Sequence, residues 1–115
     1  MKRPEIIVIG GGASGILAAI VARQSGANVT LLEKNPRIGK KILATGNGRC
    51  NYTNVLASAA DYNHPDFVAP VLDRFGPDRT IAFFEELGIA PKVETEGKTY
   101  PRSEQASSFL DVFLY

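Results

Sequence analysis

Residues Ile6 to Glu33 read IIVIGGGASGILAAIVARQSGANVTLLE: an apolar run, a glycine turn, a helical stretch, a second apolar run and a closing acid. Gly10, Gly12 and Gly15 make G-x-G-x-x-G, and each has a physical task if the ligand is a dinucleotide. Gly10 permits the tight turn off the strand, Gly12 lets backbone approach a pyrophosphate, and Gly15 allows helix to pack closely on strand. A helix starting near Ala13 and Ser14 aims unpaired N–H groups and a positive dipole end at phosphate. Glu33 stands about 20 residues beyond the glycines, where an acid accepts hydrogen bonds from ribose hydroxyls. The triplet alone is a weak signal. Strand, helix, spacing and acid together read as a dinucleotide-binding βαβ unit.

Outward from that unit, residues 5–9 are expected as a parallel strand covered on both faces. Residues 13–25 predict a helix with Leu17, Ile20, Val21 and Gln24 at helical spacing and Gly26 just past its end. Val29 to Leu32 is the second strand, ended by Asn35-Pro36. A segment rich in Gly, Asn and Lys then runs to Asn54, with a short helical turn expected at 40–43. A loop of that length inside a compact domain usually serves a ligand.

Residues 65–75 and 77–87 predict two helices, each with Pro near its start and a glycine, Gly76 or Gly88, after its end. Val68, Val71, Leu72 and Phe75 line one face of the first, and Ile81, Phe84 and Leu87 line one face of the second. Asp66, Asp73, Asp78, Glu85 and Glu86 argue against a helix-turn-helix DNA reader, because a phosphate backbone rewards the opposite charge. Residues 92–95 and 98–100 predict a hairpin turning at Glu96-Gly97. Ser103 is expected to cap a last helix through Phe109, Leu110, Val112, Phe113 and Leu114. The fold class is therefore α/β: a Rossmann-like βαβ unit with a parallel sheet, then helices and a small β-hairpin. Two parallel strands are fewer than a doubly wound domain needs, and the chain stops at Tyr115 inside an apolar segment. Residues 1–115 are expected to be the N-terminal part of a nucleotide-binding domain, incomplete and cut from a longer protein.

The chain has 115 residues, 44% hydrophobic and 22% charged, with net charge +1. That describes one ordinary globular domain and gives no case for a nucleic-acid or membrane partner. Charge is uneven, however: Lys34, Arg37, Lys40, Lys41 and Arg49 fall between residues 34 and 60, where no acid occurs. A positive field just beyond the glycine turn suits an anionic ligand. The single cysteine, Cys50, excludes an internal disulfide and fits a reducing cytoplasm. Lys2 and Arg3 ahead of an uncharged run mimic a signal peptide or short span. Glycines and Ser14 interrupt that run, which falls short of ~20 apolar residues, and no A-x-A site follows.

The block Gly39-Lys40-Lys41-Ile42-Leu43-Ala44-Thr45-Gly46-Asn47-Gly48-Arg49-Cys50-Asn51 offers small residues for backbone approach, cations for phosphate, and Thr and Asn for polar contacts. With the glycine turn ahead of it and Tyr52-Thr53-Asn54 behind, it closely resembles the HI0933-like flavoproteins, also called BaiN-like or aminoacetone-oxidase-like. Gly97-Lys98-Thr99-Tyr100-Pro101-Arg102-Ser103 resembles that family's G-x-x-F/Y-P-R-S block. The resemblance spans nearly all of this chain and about the first third of a family member. It departs at Asn47, where many members have glycine; asparagine tolerates a left-handed backbone better than most residues.

The resemblance implies an FAD-dependent oxidoreductase fold with a separate substrate domain. Carried over by position, it implies that Gly10, Gly12, Ala13, Ser14 and Gly15 hold the FAD pyrophosphate. Glu33 takes the adenosine ribose and Lys34 lies beside the adenine end. Lys40 and Lys41 approach phosphate or ribitol, and Thr45, Gly46, Arg49, Cys50 and Asn51 lie along the cofactor towards the flavin. NAD(P)H is an implied electron donor, the small-molecule substrate is unassigned, and no metal site is expected. The remaining C-terminal part of the same protein is an expected partner.

Two side chains, Cys50 and Arg102, carry two readings each, and a third, His64, carries one. Cys50 is either a redox thiol with its pKa lowered by Arg49 or a small buried hydrophobe. His64 is read as a surface turn residue. Arg102 either reaches substrate or flavin through its fork of donors or serves as a cap. Two other functions stay open: a segment of an NAD-dependent dehydrogenase, since Glu33 suits that ribose too, and a truncated, non-catalytic dinucleotide-binding module. The long loop after the second strand favours FAD over NAD. P-loop and kinase motifs are missing.

Overall fold

A computed structural model describes residues 2–114. Strand β1 (Glu5–Ile9), helix α1 (Ala13–Gln24) and strand β2 (Asn28–Leu32) form the βαβ unit, with β1 and β2 parallel in the register Glu5↔Asn28 to Ile9↔Leu32. The uncharged run that mimics a secretory segment is thus divided between a strand, a turn and a helix. No helix among the described residues is long and apolar enough to cross a membrane. Helix α1 ends as its sequence demands. Gly26 takes φ +100°, its N–H donates to Arg23 C=O, and Ala27 N–H donates to Ala22 C=O, the paired bonds of a Schellman ending.

Two expectations about this unit need correction. Ile7 (66% exposed), Ile9 (86%) and Leu32 (51%) leave one sheet face bare, so β1 is not covered on both sides. The physical reason is that α1 packs on one face of the pair, while Ile7, Ile9 and Leu32 point to the other and stay largely exposed. On α1 the inward residues are Ile16, Leu17 and Ile20, while Val21 is half exposed.

Beyond β2, the stretch Ile42–Gly48 holds two short 3-10 turns broken by non-helical backbone at Thr45, Gly46 and Asn47, the first overlapping the helical turn expected at 40–43. Helices α2 (Pro65–Arg74) and α3 (Pro77–Glu86) follow, both with Pro in the first turn. Gly88 takes φ +102° and ends α3 in the same way as Gly26 ends α1. Gly76 follows the C-cap of α2, Phe75, as expected, but with extended backbone, and it also serves as the N-cap of α3. Helix α2 buries no residue fully, and Val71 and Phe75 of its expected inner face are exposed.

The hairpin forms from β4 (Pro91–Val93) and β5 (Lys98–Pro101), paired antiparallel around a 3-10 turn at Thr95–Gly97. A short strand that the sequence did not announce, β3 (Thr53–Asn54), adds to β5 and makes a three-stranded sheet in the order β3-β5-β4. Helix α4 (Ser107–Leu114) starts later than Ser103. Ser103 is not its cap; its hydroxyl accepts the Gln105 N–H and bonds the Ser108 hydroxyl at 2.6 Å.

The core joins Ile16 of α1 to Ile42, Cys50, Phe84, Ile89, Ala106 and Phe109. Tyr52, Phe84 and Phe109 form an aromatic triangle with centroids 4.9–5.4 Å apart, a geometry that adds to area burial. The Tyr52 hydroxyl is buried there with no hydrogen-bond partner among the described residues. Burial, then the nearby charges of Glu85 and Cys50, pushes its pKa up to about 12. An unpaired buried hydroxyl costs stability that a phenyl ring does not. Tyr52→Phe is therefore expected to leave stability unchanged or raise it by about 1 kcal/mol, read as the urea unfolding midpoint.

Candidate functional site

The glycine turn lies between the end of β1 and the start of α1. Gly10 takes φ +103°, a conformation that L side chains rarely adopt, and its N–H donates to Leu32 C=O at 2.8 Å. A Cβ at Gly15 would collide with the Gly10 carbonyl oxygen, so glycine is what lets the helix close on the turn. Gly12 has neither reason. Its backbone is extended (φ −81°, ψ −173°), and a Cβ there would meet nothing within 4 Å. Among the described residues nothing requires glycine at this position, and its outer face is bare.

The start of α1 is equally uncommitted. The first helical hydrogen bond runs from Ile16 N–H to Gly12 C=O, which leaves the amides of Ala13, Ser14 and Gly15 without helical partners. No side chain caps them and no acid stands in the first turn. Such an end attracts an anion.

Glu33, at the end of β2, reaches across to the same turn. Its Oε1 accepts Gly11 N–H at 2.9 Å and its Oε2 accepts Asn35 N–H at 2.7 Å. Those bonds, that from Asn35 first and that from Gly11 second, hold its carboxyl below the usual carboxylate range. A depressed folded-state pKa means the tie is complete above the unfolded value and is lost as pH falls through the folded one. The amide resonances of Gly11 and Asn35 are expected to titrate together with a midpoint below 4.5. Glu33→Gln is expected to abolish that titration.

Two further residues shape the turn and were not singled out by the motif. Gly11 packs so closely that an added Cβ would press on Ile38, Glu33 and Leu31. Gly39, at φ +65°, donates its N–H to Gly11 C=O at 2.7 Å. The Gly11 residue is thus held on one side by Glu33 and on the other by the loop after β2. The G-x-G-x-x-G pattern treats position 11 as free, so its spacing holds no signal for this role. Lys34, Lys40 and Lys41 are exposed on that loop, and none takes part in an ion pair among the described residues.

The later part of the block turns its side chains elsewhere. Thr45 Oγ1 donates to Ile42 C=O at 2.6 Å. Gly46, Asn47 and Gly48 all have positive φ, as does Cys50. Arg49 pairs with Glu94 and Glu104 and stacks over Tyr100. With its amide oriented so that the nitrogen faces the acceptors, Asn51 donates to the Thr53 and Thr99 carbonyls. Cys50 is buried at 6% exposure, and burial pushes its thiol up. Of the two readings of Cys50 the small buried hydrophobe fits, and the lowered thiol does not: the Arg49 guanidinium is spent on the two glutamates. Arg102 and His64 are exposed.

The family model described as HI0933-like protein Rossmann domain matches residues 4–115. The chain is 51% identical over 112 residues to a 3-dehydro-bile acid delta(4,6)-reductase of Clostridium scindens, covering 94% of this chain and 27% of that protein. It is 35% identical over 116 residues to the ribosomal RNA dihydrouridine synthase of Escherichia coli, covering 99% of this chain and 29% of that protein. It is also 29% identical over 106 residues to the human flavin-containing amine oxidase B, covering 84% of this chain and 18% of that protein. The chain therefore spans under a third of the length of these relatives.

Proposed function

The chain belongs to the HI0933-like Rossmann-domain family, and on that premise we propose that it is the FAD-binding segment of a flavin-dependent oxidoreductase. The observation that carries the reading is Gly12, a glycine with no conformational or steric need of its own beside an uncapped helix start. Gly10, Gly12, Ala13, Ser14 and Gly15 hold the FAD pyrophosphate through backbone. Glu33 spends one oxygen on Gly11 of the turn and the other on Asn35, and has lone pairs to spare for the adenosine ribose. Lys34 flanks the adenine end, and Lys40 and Lys41 supply charge for phosphate. Thr45, Gly46, Arg49, Cys50 and Asn51 belong to the loop that borders the cofactor towards the flavin.

FAD supplies the redox chemistry when bound, and the chain's residues bind and orient it. Two relatives whose names carry unlike substrates, a bile acid and a ribosomal RNA, align over this same segment. What they share here is cofactor holding; the substrate is set elsewhere. NAD(P)H is the proposed electron donor and the cytoplasm the proposed compartment. The test is flavin fluorescence on titrating FAD into the purified chain. Quenching that NAD does not compete away supports the reading. No binding, or displacement by equimolar NAD, contradicts it.

A further inference from the structure

The two sequence blocks at residues 45–55 and 94–106 are tied to one another by backbone and side-chain hydrogen bonds and by ion pairs. Ala106 N–H donates to Gly48 C=O at 2.7 Å, Tyr52 N–H to Thr99 C=O at 3.0 Å and Val55 N–H to Gly97 C=O at 3.0 Å. Asn54 Nδ2 donates to Glu96 C=O at 3.0 Å, and the Asn51 amide reaches Thr99 C=O. At the centre Arg49 donates to Glu94 Oε2 at 2.7 Å and to Glu104 Oε1, with its guanidinium 3.9 Å above the Tyr100 ring centre. Lys92 Nζ lies 3.0 Å from Glu104, so two cations alternate with two carboxylates.

The loop has need of such ties. Gly46 (φ +55°), Asn47 (+57°), Gly48 (+84°) and Cys50 (+59°) crowd left-handed backbone into five residues. Non-glycine residues persist in that conformation only where the surroundings over-determine it. An arginine already shared between two carboxylates is also a poor lure for phosphate, because its charge is matched.

We propose that Arg49 is a positioning residue, which clasps the loop Thr45–Asn51 onto the β4–β5 hairpin and acts on the dinucleotide through that loop, without touching it. The clause about the dinucleotide rests on the FAD reading above; the clasp does not.

The experiment compares Arg49→Gln, Arg49→Lys and the double variant Glu94→Gln/Glu104→Gln with the parent chain. The first reading is the rate at which iodoacetamide alkylates Cys50 in the absence of FAD. Local opening exposes a buried group in proportion to its population, so Arg49→Gln and the double variant are expected to react at least about tenfold faster. Arg49→Lys retains charge and is expected to react more slowly than Arg49→Gln. Amide protection in α1 is expected to match the parent. Its loss in all three variants would mean that Arg49 holds the whole fold and would overturn a local clasp.

The second reading is the FAD dissociation constant, where the two models differ in sign. The clasp predicts weaker binding in the double variant, about tenfold, because the loop is released. An arginine that touched phosphate would be freed by loss of the two carboxylates and would bind FAD more tightly, with Cys50 as protected as in the parent. Either of those results overturns the proposal. If the parent chain takes up no FAD, the FAD reading falls, and the alkylation rates still decide the clasp.

Discussion

Gly15→Ala is expected to cost about 3 kcal/mol or more of stability, at the upper end of what one extra methyl does in a packed site. The new Cβ would fall on the Gly10 carbonyl oxygen. That oxygen has little freedom to retreat, because Gly10 N–H is anchored to Leu32 C=O and the rest of the turn is held by Glu33 and Gly39. The backbone of Gly15 itself is ordinary helix, so the damage is one of space and not of conformation. A denaturation midpoint equal to the parent's would show that α1 does not sit as close to β1 as described.

Gly12→Val separates ligand from fold. The extended backbone accepts valine, and the space beside Gly12 is empty. Stability is expected to fall by no more than about 1 kcal/mol, the usual loss from a poor N-cap residue. FAD affinity is expected to drop at least 100-fold, because the side chain fills the volume that a diphosphate needs. Gly15→Ala thus harms the fold first and ligand binding through it, whereas Gly12→Val harms ligand binding far more than the fold. A Gly12→Val chain that binds FAD like its parent would remove the glycine turn from the site.

Much of this was legible in the sequence because the βαβ unit is local. Its strand lengths, its glycines and the closing Glu33 are fixed by contacts within 30 residues. The helix endings at Gly26 and Gly88 were readable for the same reason: each is set by one φ angle. Gly76 stands after α2 as expected, but its second role as the N-cap of α3 was not legible, because only the backbone angles distinguish a left-handed helix end from an extended helix start. β3 escaped notice because two residues have no periodicity. The partners of Arg49 lie 45 and 55 positions away, and no local pattern points to them. Resemblance placed Arg49 and Asn51 beside the cofactor; the hydrogen bonds of both run to the hairpin and its neighbours.

The uncovered face of the parallel sheet shows the limit of reading burial from composition. An unbroken apolar strand marks residues fit to be covered, but Ile7 and Ile9 point away from α1 and stay largely exposed.

Amide chemical-shift mapping of the chain titrated with FAD bears most directly on the glycine turn as a diphosphate cradle. The largest changes are expected at Gly10, Gly12, Ala13, Ser14 and Gly15, with Gly11 following through its bond to Glu33. Silent glycine amides, with the changes gathered instead around the cavity of about 370 Å³ bordered by Thr53, Tyr62, Phe75 and Thr80, would contradict it.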